Sequence, residues 1–217
     1  MKDAIVFDLD GTLWDTVSAV VRSWNEVLDR RPEARAHLTE EAMRAYMGKT
    51  AEQIAAAMLP TLAPEAGLRL LDECTQSEYA YLRAHGGGRL FPDLVPTLHT
   101  LCAQYDLFIV SNCQSGYIEI FLEVHGVSDC FRGHTCPGDT GMGKAGNIRR
   151  ILQEAGSPRA FYLGDTDGDE RAAREAGVPF VHAAYGFGHA EHPDAVLTRF
   201  SDLPALAARL FSSPLFG

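Results

Sequence analysis

The sequence predicts an α/β fold in which a parallel-sheet core carries an inserted α-helical cap. Three observations predict it. First, short apolar runs at residues 5–7, 107–110, 161–163 and 178–181 suit buried strands, and the later ones are separated by stripes of helical period. Strands alternating with helices imply a parallel sheet with right-handed crossovers. Second, residues 15–86 read as helix throughout and hold no convincing strand. The core is therefore assigned to residues 1–14 and 87–217, and the cap to 15–86. Third, three strand ends carry polar residues: Asp8 with Asp10, Ser111 with Asn112, and Asp165. In parallel sheets, sites form beyond the carboxyl ends of the strands.

Taken in order, the first run stops abruptly in Asp8, Asp10, Gly11 and Thr12, residues with turn chemistry. Asp15 can cap a helix that carries Val17, Val20, Val21, Trp24 and Leu28 on one stripe. Thr39, followed by Glu40 and Glu41, opens a second helix that Gly48 breaks. Thr50 and Gln53 form a capping-box pattern for a third. A longer helix is expected over about 65–83, and Gly86, Gly87 and Gly88 read as a hinge or linker. Beyond them, helices are expected around Leu94–Cys102, Tyr117–Val124, Ile148–Ala155, Ala172–Ala176 and Leu203–Leu210, with a weak strand around 131–135.

Composition narrows the class of protein. With 217 residues, 46% hydrophobic and 22% charged, the chain can bury a substantial core. No apolar run is long enough to cross a bilayer, so no membrane partner is expected. The chain enters its first strand directly after Met1, Lys2 and Asp3, which leaves no room for a signal peptide and predicts a cytoplasmic protein. A net charge of −10 argues against a nucleic-acid partner. Five cysteines without a Cys-x-x-Cys pair suggest reduced, mostly buried thiols. His125, Cys130, His134 and Cys136 lie close in sequence but match no common zinc spacing.

Two acids at one strand end repel each other and lose solvation; a bound cation or a shared proton offsets that cost. Singly, the other polar positions have plain readings. Ser111 serves equally as a helix cap, Lys144 as a solvated surface lysine, and Asp165 with Asp169 as a turn residue and a first-turn helix acid. The run from Gly138 to Lys144 nearly matches a nucleotide-binding P-loop, but Ala145 stands where a magnesium-binding hydroxyl belongs. Lys49 precedes the capped helix start at Thr50, and lysine plus helix N-terminus make an anion site able to receive a carboxylate or second polar group. An exposed turn lysine is the alternative. The glycines of residues 183–189 suggest a loop near the site.

Together, Asp8 and Asp10, then Ser111, then Lys144, then Gly164 through Asp169 resemble the haloacid dehalogenase superfamily, in its phosphatase branch with a helical cap inserted after the first motif. The resemblance spans the chain; Ala145 departs from the proline that many capped relatives carry after the lysine. It implies a Rossmann-like core and a magnesium-dependent hydrolase of small phosphorylated metabolites, similar to phosphoglycolate phosphatases. Asp8 would be the nucleophile, forming an aspartyl-phosphate, and Asp10 the general acid and then base. Asp8, Asp165 and the backbone carbonyl of Asp10 would hold Mg2+, supported by Asp169 directly or through water. Thr12, Ser111, Asn112 and Lys144 would bind the substrate from the core, and Lys49 from the cap. An acid at position 10 favours phosphate chemistry over dehalogenation. The alternatives are a phosphomutase of the beta-phosphoglucomutase type and, against the order of the motifs, a receiver-like phosphoacceptor switch. A monomer or homodimer is expected.

Overall fold

The apolar run after Asp3 becomes the centre of the sheet. In the computed structural model, which describes residues 2–213 and Leu215, the strands are β1 (Ala4–Phe7), β2 (Trp14–Asp15), β3 (Arg89–Leu90), β4 (Asp106–Val110), β5 (Gly133–Thr135), β6 (Ala160–Gly164), β7 (Phe180–Ala183) and β8 (Ala195–Leu197). The helices are α1 (Val17–Leu28), α2 (Glu40–Arg44), α3 (Ala51–Met58), α4 (Pro64–His85), α5 (Leu94–Cys102), α6 (Tyr117–His125), α7 (Pro137–Thr140), α8 (Lys144–Ala155), α9 (Asp167–Ala176) and α10 (Leu203–Phe211).

Six strands form one parallel sheet in the order β5-β4-β1-β6-β7-β8. Val6 of β1 lies between Phe108 of β4 and Tyr162 of β6. Side chains alternate across a strand, and β1 divides accordingly. Ile5 and Phe7 join a cluster with Leu98, Phe121 and Leu206, whereas Ala4 and Val6 join one with Ile148 and Ala173. With both faces covered, the strand is apolar along its whole length. From β1 the chain moves out through β4 to β5, then crosses back to β6 on the other side. The strand order thus reverses between β1 and β6, where a crevice opens beyond the strand ends. This Rossmann-like α/β architecture is the one the sequence predicts.

Helices α1 to α4 bury a cluster of their own, including Val20, Trp24, Met43, Leu71 and Cys74. The capping box expected at Thr50 and Gln53 is formed at the start of α3. Tyr79 and Leu82, near the end of α4, join the cluster on the sheet. Strands β2 and β3 pair antiparallel, Trp14 against Leu90, so the chain leaves for these helices and returns from them side by side.

Local details differ from the sequence reading. Thr16, not Asp15, is the N-cap residue of α1, although Asp15 Oδ1 accepts the Val17 N–H at 3.1 Å. Helix α2 ends at Arg44, before Gly48. Gly86 and Gly87, with φ of 83° and 80°, close α4, a left-handed termination that favours glycine. A Cβ on Gly88 would meet Thr16 Cγ2 at 2.6 Å, so this glycine permits a close chain crossing. The β2–β3 ribbon, β8 and α7 had no expectation; at two to four residues each they are too short to show a period. Among the described residues, no helix is long and apolar enough to cross a membrane.

Candidate active site

Asp8 follows β1 immediately, and its N–H donates to the Leu163 carbonyl of β6 at 2.8 Å. The chain then turns tightly, with the Leu13 N–H returning to the Leu9 carbonyl at 2.8 Å. Gly11 makes that turn at φ 81°, and a Cβ there would lie 2.3 Å from Asp165 Oδ2. Both its conformation and its neighbour exclude a side chain. The β1 and β6 loops can therefore approach closely enough to share one pocket.

Lys144, the first residue of α8, reaches into that pocket. Its Nζ donates to Asp8 Oδ1 at 2.9 Å and to Asp169 Oδ1 at 2.6 Å. The other oxygen of Asp169 accepts the Thr166 N–H at 3.0 Å and the Thr166 hydroxyl at 2.7 Å, in a capping box that opens α9. Asp165 Oδ2 accepts the backbone N–H groups of Phe187 and Gly188 at 2.7 and 3.3 Å. Asp165 Oδ1 is buried without a hydrogen-bond partner. The loop after β7 is thus part of the site, as its glycines suggested.

Asp8, Lys144, Asp165 and Asp169 are each at most 6% exposed. One carboxylate oxygen from each of Asp8, Asp165 and Asp169 lies within 4.8 Å of the others. Burial, then the Asp169 charge, pushes the Asp8 carboxyl up to about 7, against the pull of Lys144. Asp165 is raised well above the carboxylate range by burial and by the charges of Asp169 and Asp8. Burial would lower Lys144, but the two carboxylates it touches outweigh that and raise it. Three crowded carboxylates against one ammonium leave a charge deficit, and their hard oxygens with one orphaned acceptor fit a small divalent cation.

Asp10 stands apart from that cluster. Its Oδ1 accepts the Thr16 hydroxyl at 3.0 Å, and the Tyr117 hydroxyl lies 3.0 Å from both. Burial pushes its carboxyl up to about 6, while the hydrogen bonds from Tyr117 and Thr16 oppose the shift.

A cleft of about 700 Å³, open to solvent, lies between the strand ends and helices α1 to α4. Asp8, Asp10, Ser111 and Asn112 line its floor and Lys49 its other side. The Asn112 amide donates to the Gly48 carbonyl at 2.9 Å, tying the floor to the loop that carries Lys49. Lys49 Nζ sits 5.7 Å from the centre of the Tyr46 ring. Thr12 is not brought to the cleft: it is fully buried and its hydroxyl has no partner. The tight turn at Leu9 tucks it inward.

Several features were not read from sequence. In the sequence, Tyr117 reads only as part of a helical stripe. Glu78 of α4 was not singled out, yet it lines the cleft, is buried, and accepts the Trp24 indole N–H at 2.8 Å. Among the described residues, His125, Cys130, His134 and Cys136 form no metal-binding group; Cys130 lies instead beside His99 and Cys102.

A cleft at the strand ends, floored by paired acids of which Asp8 is bonded to a buried lysine, is matched by what the chain resembles. The family model described as haloacid dehalogenase-like hydrolase matches residues 5–183. A phosphoglycolate phosphatase of Agrobacterium fabrum (strain C58) is 31% identical, over 95% of this chain and 93% of its own. One from Yersinia pestis is 27% identical, over 93% and 92%. The solved structure of CbbY from Rhodobacter sphaeroides in complex with phosphate shares the fold, with a TM-score of 0.78 and 24% identity over 94% of this chain and 96% of that one. The chain belongs to the haloacid dehalogenase-like hydrolase family. Within it the chain is an enzyme of the phosphatase type.

Proposed function

We propose that this enzyme hydrolyses a small phosphorylated metabolite through an aspartyl-phosphate on Asp8, with Mg2+ as cofactor. The observation that carries the reading is the buried Lys144, bonded at once to Asp8 and Asp169 beside the orphaned Asp165 oxygen. Asp8, Asp165 and Asp169, with the Asp10 backbone carbonyl, would hold the Mg2+, which supplies positive charge against the phosphate and the carboxylates.

Each residue then has a task. Lys144 keeps Asp8 ionised and offsets phosphate charge. An Asp8 oxygen attacks phosphorus as the bond from phosphorus to the ester oxygen breaks. Asp10 gives its proton to that departing oxygen, so the alcohol leaves neutral. Asp10, now a carboxylate, takes a proton from a water whose oxygen attacks the phosphorus as its bond to the Asp8 oxygen breaks. Inorganic phosphate leaves and both side chains return to their starting states. Tyr117 and Thr16 hold the Asp10 carboxyl in place for both proton transfers. Ser111 and Asn112 are the floor residues offered to phosphate oxygens. Residues 15–86 act as the cap over a core of 1–14 and 87–217, and closure excludes water from the phosphate.

The test is phosphate release from p-nitrophenyl phosphate, 2-phosphoglycolate and a panel of metabolite phosphates, with and without Mg2+. Release in the wild type, falling at least about 10³-fold in Asp8→Asn, is the expected result. Wild-type turnover in Asp8→Asn would remove the nucleophile and the reading with it.

A further inference from the structure

The wall of the cleft facing the catalytic floor has a chemistry the phosphate reaction does not use. Val20, Met43, Met47, Ile54 and Leu71 line it, with the Trp24 ring. Among the described lining residues, Lys49 is the one lysine or arginine. Within this apolar wall sits Glu78, 5% exposed, held through one oxygen by the Trp24 indole N–H at 2.8 Å. A lining that is mostly apolar, with a few placed polar groups, is the usual form of a small-molecule site.

Resting on the phosphatase reading, we infer that the cleft takes a phosphate monoester whose alcohol has a hydrocarbon body and an uncharged hydroxyl or carbonyl that hydrogen-bonds Glu78. The orientation follows from the two ends of the cleft. With phosphorus at Asp8, the ester oxygen faces Asp10, and the rest of the alcohol extends across to the cap helices. Each methylene buried there raises affinity roughly fourfold.

The character of the polar group follows from Glu78. Burial pushes its carboxyl up to about 8, with the hydrogen bonds from Trp24 and Tyr117 opposing the rise and the Asp10 charge adding to it. A neutral acid presents a donor as well as an acceptor, which suits a hydroxyl or carbonyl oxygen. A substrate carboxylate carried to that depth would meet Glu78 and Asp10 with no cation beside it; only at the Lys49 side does the cleft offer one. A short, doubly anionic ester such as 2-phosphoglycolate would leave the apolar wall unfilled.

The experiment compares kcat/KM for 5-hydroxypentyl phosphate, n-pentyl phosphate, 5-aminopentyl phosphate and 2-phosphoglycolate, in the wild type and in Glu78→Gln and Glu78→Leu. Hydroxypentyl phosphate should exceed 2-phosphoglycolate at least tenfold in the wild type. The ratio of hydroxypentyl to pentyl phosphate should fall at least tenfold in Glu78→Leu and stay within threefold in Glu78→Gln. A ratio within one variant does not depend on the fraction folded. A preference for 2-phosphoglycolate, an unchanged ratio in Glu78→Leu, or a preference for the aminopentyl ester would each overturn the inference. A wild type that releases nothing, even from p-nitrophenyl phosphate, would instead overturn the phosphatase reading. The cleft's preference is then read by calorimetry with 5-hydroxypentylphosphonate against phosphonoacetate, where tighter binding of the second overturns the inference.

Discussion

Helices α3 and α9 begin with the same device in different surroundings. Thr50 and Gln53 open α3 among the helices α1 to α4, and Thr166 and Asp169 open α9 beside the sheet; in each, the threonine takes the N–H three residues on and the later side chain returns to the threonine N–H. The first box is exposed and ends with its own helix. In the second, Asp169 is 1% exposed and its remaining oxygen accepts Lys144, which in turn binds Asp8. A local motif sets a local structure; the crossing of the sheet decides whether it joins a network. Under the floor of the cleft lies such a network, joining Asp8, Lys144 and Asp169 from three distant segments, whereas the wall opposite is built from neighbouring helices.

If that contrast holds, cutting the floor network should cost most. Lys144→Ala leaves Asp8 and Asp169 buried without their shared cation. Loss of a preorganised charge at the reacting group predicts a fall in kcat on the order of 10²- to 10³-fold. Breaking a buried ion pair from one side predicts about 3–5 kcal/mol of lost stability. Phosphate-release kinetics and urea unfolding measure the two. A loss in Lys144→Ala no larger than that in Lys49→Ala would erase the distinction between floor and wall.

The wall's own buried acid gives a sharper, smaller effect. Burial pushes the Glu78 carboxyl from its ordinary value of about 4.5 up to about 8 in the folded protein. A raised folded value means that the stability this group allows is complete below the unfolded value and is lost as pH rises through the folded one. In the wild type, unfolding free energy should therefore decline from about pH 4.5 to pH 8 through Glu78. Glu78→Gln keeps an acceptor for Trp24 and does not ionise. Relative to the wild type, it should gain about 2–3 kcal/mol between pH 5.5 and pH 8.5. Parallel pH profiles for the two proteins would show that Glu78 is not held neutral.

How much of this was legible beforehand differs between the same two regions. Strands β1, β4 and β6 were visible because burial on both faces makes a continuous apolar run; β7 was visible two residues early, since the apolar run spans 178–181 while the strand covers Phe180–Ala183 and holds His182. Strand β8 was not: it has three residues, and Val196 is 52% exposed at the sheet edge. The floor residues were visible as a set because their order along the chain carries information that no single one does. Tyr117 and the Phe187 and Gly188 amides were not, because their partners are more than 20 residues away and are chosen by packing. Glu78 had a signal that went unused. It stands on the buried stripe of α4 marked by Leu71, Cys74 and Leu82, and an acid at helical spacing among apolar residues implies either a partner or a purpose.

The two capping boxes supply the smallest and most discriminating test. Thr50→Ala deletes one cap bond and Thr166→Ala the equivalent bond plus the one to Asp169 Oδ2, so each should lose about 1 kcal/mol of stability or more. Their effects on turnover should part. The Thr166 hydroxyl donates to Asp169 Oδ2 at 2.7 Å, and Asp169 is aligned with Lys144 through its other oxygen. A partner that orients a ligand from outside the first layer typically changes metal affinity roughly 10- to 100-fold. Thr166→Ala should therefore raise the Mg2+ concentration for half-maximal activity by about tenfold, while Thr50→Ala leaves it within about twofold, since no member of the first box touches a floor carboxylate. Magnesium titrations of the two variants, at matched folded fraction, decide it. Equal shifts would mean that helices α1 to α4 and the floor respond as one unit, and that the separation drawn from their hydrogen bonds is local rather than functional.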